Sequence, residues 1–285
     1  MPTPPVARRE EEVITQLGRT RTDPYRWMKD ANWQAALTDP SVLEPYIRSH
    51  LVDERDYAAA LLAELTGDLS DTLLEELKAR IEPDESTVPS PDGPWAYYRR
   101  FREGGEYPIV ARIPRDGGDE QVLVDGDARS EGSAFYNLVA AAHSPDHRKV
   151  ALMEDRVGNE EFTVTVLDLE SGEERTVLEG VSGGLTWGGS DELFSVRLDK
   201  SKRPTTAIHL DLSTGVETTV YEEPDAGFFV GVGKTMSGRF VAVQTIDHDT
   251  SEVHVLDLEG DRRLRCLAPR VARTEYYAEH HADQW

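Results

Sequence analysis

A short segment recurs three times in the second half of this 285-residue chain. Each copy alternates apolar and polar residues and then runs into an Asp-Leu pair and a glycine; the copies are residues 164–172, 207–215 and 252–260. Their aspartates, Asp168, Asp211 and Asp257, lie 43 and then 46 residues apart. An aspartate at this position caps a hairpin turn, and the glycine supplies the positive φ that such a turn needs.

Each copy follows a turn and a further strand, so the repeating unit contains about four short strands. The preceding turns are at residues 144–146, 190–191 and 237–238, and a fainter copy runs from residue 90 to 127. A unit of about 40–50 residues with four strands is typical of a β-propeller blade. The sequence therefore predicts a mainly β domain over residues 83–285, an incomplete propeller of about four blades. A further strand is expected to begin at Glu275.

Individual strands are indicated by a period of two and by β-branched and aromatic residues. They are residues 97–102, 107–114, 162–169, 192–198, 207–212, 240–246 and 253–258. We expect no substantial helix between residues 150 and 267.

The first 82 residues follow a different pattern, with apolar residues at three- and four-residue steps over residues 40–81. This period predicts helices with one apolar face. Asp39 and Pro40 suit a helix start, although Pro45 fits only a first turn and shifts the regular helix a few residues on. Gly67 is expected to end this helix, and Ser70 to cap a second one. Residues 1–82 are thus predicted to be a helical segment.

The sequence has 54 acidic and 31 basic residues and a net charge of −23. Such a surface repels phosphate backbones and anionic lipid, which argues against nucleic-acid and membrane partners. The N-terminus lacks the apolar core of a secretory signal, and no apolar run approaches the roughly 18 residues of a membrane span. The single cysteine, Cys266, cannot form an internal disulfide. Together these features predict a cytoplasmic protein.

Residues 180–184, Gly-Val-Ser-Gly-Gly, match the G-x-S-x-G nucleophile elbow of α/β-hydrolases, with Ser182 in the nucleophile position. An elbow needs a strand before the serine and a helix after it. The sequence Leu-Thr-Trp-Gly-Gly follows instead, which does not begin a helix. We therefore interpret residues 180–184 as a glycine-rich loop between two blades.

Two further motifs are also judged structural. Residues 231–235, Gly-Val-Gly-Lys-Thr, resemble the end of a P-loop, but Phe228 stands where its earlier glycine belongs and no helical pattern follows. The residues Glu279, His280, His281 and Asp283 are of metal-ligating types. Adjacent histidines on a strand point to opposite faces, so we interpret this group as a solvated strand edge. The sequence therefore predicts no catalytic residue, no metal site and no cofactor in this chain, and leaves substrate-binding residues unknown.

Residues 21–30, Arg-Thr-Asp-Pro-Tyr-Arg-Trp-Met-Lys-Asp, resemble the opening signature of the prolyl oligopeptidase family, in which Asp-Pro-Tyr-x-Trp-Leu-x-Asp precedes a helix. Other stretches resemble the oligopeptidase B branch of that family; they are residues 74–81, 86–89, 97–100, 105–109, 144–146 and 155–160. The resemblance extends from about residue 20 to residue 285.

The resemblance implies a helical N-terminal segment docked on a C-terminal α/β-hydrolase domain, with a seven-bladed propeller limiting access to short peptides. It implies a serine peptidase that cleaves after Lys or Arg. The serine, aspartate and histidine of the family come from the C-terminal domain, which these 285 residues do not include, so the chain alone is expected to be inactive. Prolyl-specific cleavage and a non-enzymatic propeller binding module are the alternatives.

An open arc of four blades is also expected to be poorly stable. Each blade buries its faces against two neighbours, so an arc leaves an apolar face exposed at either end. Leaving two apolar faces of several hundred Å² exposed to water lowers the free energy of unfolding by on the order of 10–20 kcal/mol. We expect the isolated chain to be poorly folded or aggregated unless a C-terminal half covers it.

Overall fold

The computed structural model describes residues 2–37 and 39–285. The chain forms two compact units, Met1–Glu82 and Pro83–Trp285. Within the described part of the chain, no helix is both long and apolar enough to cross a membrane.

The first unit opens with a hairpin that was not predicted from the sequence. Strands β1 (Glu12–Gln16) and β2 (Arg19–Asp23) pair in antiparallel register. The two residues between them, Leu17 and Gly18, both have positive φ, at 53° and 72°. A two-residue hairpin loop requires this backbone conformation. The loop was missed because leucine, rather than asparagine or glycine, occupies its first position.

Helices follow, as predicted for residues 40–81. They are a 3-10 turn Arg26–Met28, α1 (Trp33–Ala36), a 3-10 turn Pro40–Val42, α2 (Pro45–Thr66) and α3 (Leu69–Lys78). The Asp39 carboxylate accepts from the Ser41 amide at 2.9 Å, but it caps only the short 3-10 turn. The long helix begins at Pro45, and Gly67, with φ 49°, ends it.

The predicted cap of the second helix is wrong. Ser70 lies inside α3, and Asp68 occupies the N-cap position. The reason is that the Asp68 carbonyl already accepts the Thr72 amide at 3.0 Å, so the first helical hydrogen bond starts two residues before Ser70. The predicted apolar face is present, but most of its leucines are exposed; these are Leu51, Leu62, Leu65, Leu73, Leu74 and Leu77.

The signature segment organises the start of the helical region. Asp30 is buried, and its carboxylate accepts the amides of Asn32 at 2.6 Å and Glu44 at 2.7 Å. Trp27 packs edge-on against Tyr46 with ring centroids 5.0 Å apart. A buried carboxylate thus holds the start of α2 in place, because the two amides would otherwise lack partners.

The second unit contains the predicted four blades of antiparallel strands. Blade 1 comprises β3 (Ser90–Asp92), β4 (Trp95–Arg100), β5 (Ile109–Pro114) and β6 (Gln121–Asp125), followed by a short helix α4 (Gly126–Ser130). Blade 2 comprises β7 (Asn137–His143), β8 (Lys149–Asp155), β9 (Phe162–Asp168) and the first half of β10 (Glu174–Trp187). Blade 3 comprises the second half of β10, β11 (Glu192–Leu198), β12 (Pro204–Asp211) and β13 (Glu217–Glu222). Blade 4 comprises β14 (Phe229–Lys234), β15 (Phe240–Ile246), β16 (Ser251–Asp257) and β17 (Leu264–Ala268).

All residues from 150 to 267 are described, and none of them is helical.

Strand β10 joins blades 2 and 3 into one seven-stranded sheet. Val181 pairs with Phe162 on one side and with Arg197 on the other, so the strand changes blades at this residue. The interpretation of residues 180–184 as a loop is therefore wrong. Register shifts and the positive φ of Gly180 let a continuous strand bend from one blade to the next.

The repeated hairpins have the predicted chemistry in two of three copies. Asp168 accepts the amides of Glu170 and Ser171, and Asp211 accepts those of Ser213 and Thr214. Their glycines, Gly172 and Gly215, have φ values of 73° and 72°.

The third hairpin departs from this pattern. Its aspartate caps the turn as predicted, since Asp257 accepts the Glu259 amide at 3.0 Å, but Arg262 takes the positive φ of 57° and Gly260 does not. The loop between Asp257 and Leu264 has one residue more than the loops of the other two copies. The residue with positive φ therefore lies further along the chain.

The core of this unit lies between the blades. One apolar cluster joins blades 1 and 2 through Val110, Leu138 and Leu152, and another joins blades 3 and 4 through Val196 and Val243. These contacts bury the alternate residues of each strand on both sides of a blade.

The C-terminal segment corrects two expectations. Glu275 does not begin a strand. Instead, the segment lies on the outer face of blade 4, where Tyr276 and Ala278 pack on Val253 and Val255. Trp285 packs on Phe240 with ring centroids 4.9 Å apart. The expected exposed apolar face at this end of the arc is therefore wrong, because the chain covers it itself.

Candidate functional site at the ends of the inner strands

The first strand of each blade brings side chains to a common pocket. Strands β7, β10 and β14 lie side by side, and each ends next to the turn that precedes the second strand of its blade. The last residues of these strands are His143, Trp187 and Lys234, and Asp92 ends β3. They line a cavity of about 680 Å³, which we call the channel pocket.

His143 is the titratable centre of the channel pocket. Its ring stacks on Tyr97 with centroids 3.8 Å apart, and its Nε2 lies 3.4 Å from the Asp92 carboxylate. Burial lowers the pKa of His143 and outweighs the opposite effect of Asp92. The imidazole is therefore neutral at pH 7 and can donate or accept a hydrogen bond.

Lys234 and Trp187 form the other side of the pocket. The Lys234 ammonium donates to the Gly188 carbonyl at 3.2 Å. Burial lowers the pKa of Lys234, while the carboxylate of Asp92 favours its charged form. The Trp187 indole donates to the Ala142 carbonyl at 2.8 Å, which ties blade 3 to blade 2. One ammonium, the two carboxylates of Asp92 and Glu259 and one neutral imidazole are groups that can hydrogen-bond to a peptide main chain and its termini.

The buried His143 predicts a dependence of stability on pH. Its pKa is lowered in the folded chain, so the unfolded chain binds more protons as the pH falls below about 6.5, and stability then declines. Asp92 opposes this effect, whereas His147 and Arg112 reinforce it. In urea titrations at pH 7 and pH 5, His143→Gln is expected to lose less stability than the wild type. The exposed His248→Gln is the control, and equal losses in all three proteins would refute the assignment.

The elbow-like motif lacks the geometry of an elbow. Ser182 lies within β10, where strand pairing continues on to Trp187, and the next element along the described chain is β11. The P-loop-like residues 231–235 lie mostly in β14, a strand followed by the turn into β15. Neither motif precedes a helix, so neither presents the amide groups that would face an oxyanion or a phosphate.

The terminal histidines are separated by their surroundings. His280 is 4% exposed, whereas His281 is exposed and bridges to Gln284. Glu279 accepts the amides of Met236 at 2.8 Å and His280 at 2.7 Å. The interpretation as a solvated strand edge is wrong for His280, because the segment is not a strand and this ring packs against Phe240.

A serine–histidine contact beside the channel pocket was not predicted from the sequence. Ser237 Oγ lies 2.9 Å from Nδ1 of His280, although the two residues are 43 positions apart. A triad needs an acid on the other ring nitrogen and donors for an oxyanion. Among the described residues no carboxylate contacts that nitrogen, and the ring packs between Phe240 and Trp285. The contact fastens the C-terminal segment to blade 4, together with the Ser237 amide, which donates to the His280 carbonyl at 3.1 Å.

Known proteins resemble this chain over nearly its whole length. Residues 4–285 match the family described as prolyl oligopeptidase, N-terminal β-propeller domain. Dipeptidyl aminopeptidase BI of Pseudoxanthomonas mexicana is 30% identical over 307 aligned residues, which cover 99% of this chain and 41% of that protein. Protease 2 of Moraxella lacunata is 26% identical, with coverage of 98% and 41%. The chain thus spans about 41% of the length of these curated relatives.

Solved structures agree with the sequence relatives. Oligopeptidase B from Leishmania major superimposes with a TM-score of 0.81 at 25% identity, covering 98% of this chain and 41% of that one. Oligopeptidase B from Trypanosoma brucei with covalently bound antipain gives a TM-score of 0.80 with the same identity and coverage. The four blades, their repeated hairpins and the match over residues 4–285 agree. The chain belongs to the prolyl oligopeptidase family, as its N-terminal β-propeller part.

Proposed function

We propose that this chain is the N-terminal and propeller part of a serine oligopeptidase resembling oligopeptidase B, which cleaves short peptides after Lys or Arg. The observation that carries the proposal is the similarity to oligopeptidase B over 98% of the chain. The channel pocket supports it, because Asp92, His143 and Lys234 offer hydrogen bonds and charge to a passing peptide. In this role the propeller admits short peptides and the chain alone is inactive.

Residues 1–82 are proposed to dock on a C-terminal α/β-hydrolase domain. The exposed leucines of α2 and α3 support this role, because an apolar helix face is stabilised by covering it. The remaining region, residues 83–285, is the propeller. We place the full enzyme in the cytoplasm, in keeping with a single, free cysteine.

Two other functions remain as alternatives. Prolyl-specific cleavage is favoured by the family description, which is that of prolyl oligopeptidase. A non-enzymatic binding module is favoured by the pocket itself, whose described lining offers binding groups and no activated nucleophile.

Co-expression tests these alternatives. The chain would be produced together with the polypeptide encoded directly downstream of it, and the complex assayed on Arg-, Lys- and Pro-containing peptide reporters. We expect hydrolysis after Arg and Lys with kcat/KM more than about 100-fold above that after Pro. The reverse preference supports the prolyl alternative. The absence of a downstream G-x-S-x-G elbow, with no hydrolysis, supports the binding module.

A further inference from the structure

Three side chains of metal-ligating types meet on one face of blade 4. Glu252 and His254 alternate along β16 and so share a face, and Cys266 on β17 is the cross-strand partner of His254. One ligand atom from each residue lies within 4.8 Å of the other two. The ladder shifts at Leu267, a bulge of the kind that re-aims neighbouring side chains.

Contacts with Glu252 and Tyr221 fix the position of the His254 ring. Its Nε2 lies 3.4 Å from the Glu252 carboxylate, and the Tyr221 ring packs on it with centroids 4.8 Å apart. Its Nδ1 is buried, and among the described residues it is the one buried side-chain nitrogen or oxygen without a hydrogen-bond partner. A neutral imidazole is the form of histidine that binds metals.

Arg270 is the cation that contacts this group, and it holds the two oxygens of Glu252 unequally. Its guanidinium donates to the Glu223 carboxylate at 2.7 Å and stacks on Phe228 at 3.9 Å. Its contact with Oε1 of Glu252 is longer, at 3.3 Å, while its backbone amide holds Oε2 at 2.8 Å. Oε1 is therefore the oxygen that is less firmly held and faces His254.

The charges of the site favour a divalent ion. Glu223, Glu252 and a deprotonated Cys266 carry three negative charges, and Arg270 carries one positive charge. The remainder of two negative charges matches one divalent cation. Thiolate, imidazole and carboxylate together suit a borderline-soft ion, and Ca²⁺ and Mg²⁺ prefer oxygen alone.

We propose that Glu252, His254 and Cys266 bind one Zn²⁺ ion on blade 4. The Cys266 thiol loses its proton to solvent as the sulfur–zinc bond forms, and the Nε2 lone pair of His254 and Oε1 of Glu252 complete three protein ligands. In a tetrahedral site the ligand atoms are about 3.3–3.7 Å apart, so the three groups close in by small side-chain rotations. The fourth position is left to water, and Cys266 is exposed, which gives the ion a way in.

Cobalt substitution tests the site in the purified 285-residue chain. Co²⁺ is expected to bind once per chain and to show thiolate-to-cobalt charge-transfer absorption, which Zn²⁺ abolishes by displacement. Cys266→Ser is expected to lose that band and to bind Zn²⁺ at least about tenfold more weakly, a loss that even outer-shell changes reach. His248→Gln, a change at an exposed histidine outside the group, is the matched control and is expected to bind as the wild type does.

Alkylation gives a second readout that does not depend on the colour of cobalt. Cys266 is the only cysteine, so iodoacetamide labelling reports on it directly. Zn²⁺ is expected to slow labelling by about tenfold or more in the wild type and not in His254→Gln. Far-UV circular dichroism checks that the variants are folded. Equal Zn²⁺ affinity in wild type and Cys266→Ser, or labelling that Zn²⁺ does not slow, overturns the proposal.

Discussion

Replacing Arg270 by methionine is expected to lower the free energy of unfolding by about 3 kcal/mol. The guanidinium is the partner of Glu223, whose side chain is fully buried, and of Glu252, which is nearly so. Methionine keeps most of the packing on Phe228 and removes the charge. The cost is then that of a buried carboxylate left without its cation. The expected loss lies near the lower end of the range for breaking a buried ion pair, because a quarter of the Arg270 side chain is exposed.

The loss should depend on pH in a defined direction. Burial raises the pKa of Glu223, but hydrogen bonds from Arg270, the Asp225 amide and Tyr221 outweigh it, so the wild-type carboxyl has a lowered pKa. This contribution to stability is present above the ordinary carboxyl pKa and is lost as the pH falls through the lowered one. Without Arg270 burial dominates and the carboxyl takes up a proton more readily. The difference between variant and wild type should therefore shrink between pH 7 and about pH 4.5.

Urea unfolding followed by tryptophan fluorescence measures both effects. Arg262→Met is the control, because Arg262 pairs with Glu192 at 2.6 Å but is 44% exposed. An exposed pair of this kind contributes less than about 1 kcal/mol. Equal losses in the two variants, or a loss at Arg270 that does not change with pH, would contradict this account of the cluster.

The four blades were predictable because their signal is local. Asp168 and Asp211 cap turns by accepting amides only two and three residues away, so a few consecutive residues determine each hairpin. The distances between copies then gave the number of blades. The helices over residues 40–81 were predictable for the same reason, since a period of 3.6 is a local property.

The path of β10 was not predictable from local composition. Its glycines suggest a loop, but Gly180 supplies a positive φ within the strand and Gly184 packs closely against neighbouring strands. A Cβ on Gly184 would lie 3.1 Å from Val232 and 3.2 Å from Val196. A side chain at residue 184 would crowd Val232 of the next blade, and nothing in residues 180–184 reveals that neighbour.

The channel pocket was missed because its residues are far apart in sequence and different in chemistry. Asp92, His143, Trp187 and Lys234 share a position at the ends of inner strands, and no motif links them. The turns predicted from the sequence begin one residue after His143 but three residues after Trp187 and Lys234, so an alignment of those turns does not bring the three residues to one position. The strand expected to begin at Glu275 is absent, because this segment packs on a face of blade 4 and has no strand partner among the described residues.

Hydrolysis of Arg- and Lys-containing peptide reporters by the purified chain is the most direct test of the central claim, that these 285 residues alone do not cleave peptides. We expect no hydrolysis above the buffer rate, because an elbow serine, its histidine and an oriented acid are not assembled among the described residues. Intact folding would be verified by circular dichroism on the same sample.

Two serines decide how a positive result would be interpreted. Ser182 carries the elbow-like motif, and Ser237 contacts His280. Ser182→Ala and Ser237→Ala would be assayed beside the wild type, together with labelling by a serine-reactive fluorophosphonate. The account predicts no turnover and no labelling in any of the three proteins. Turnover by the wild type that either substitution abolishes, with labelling at that serine, would contradict it.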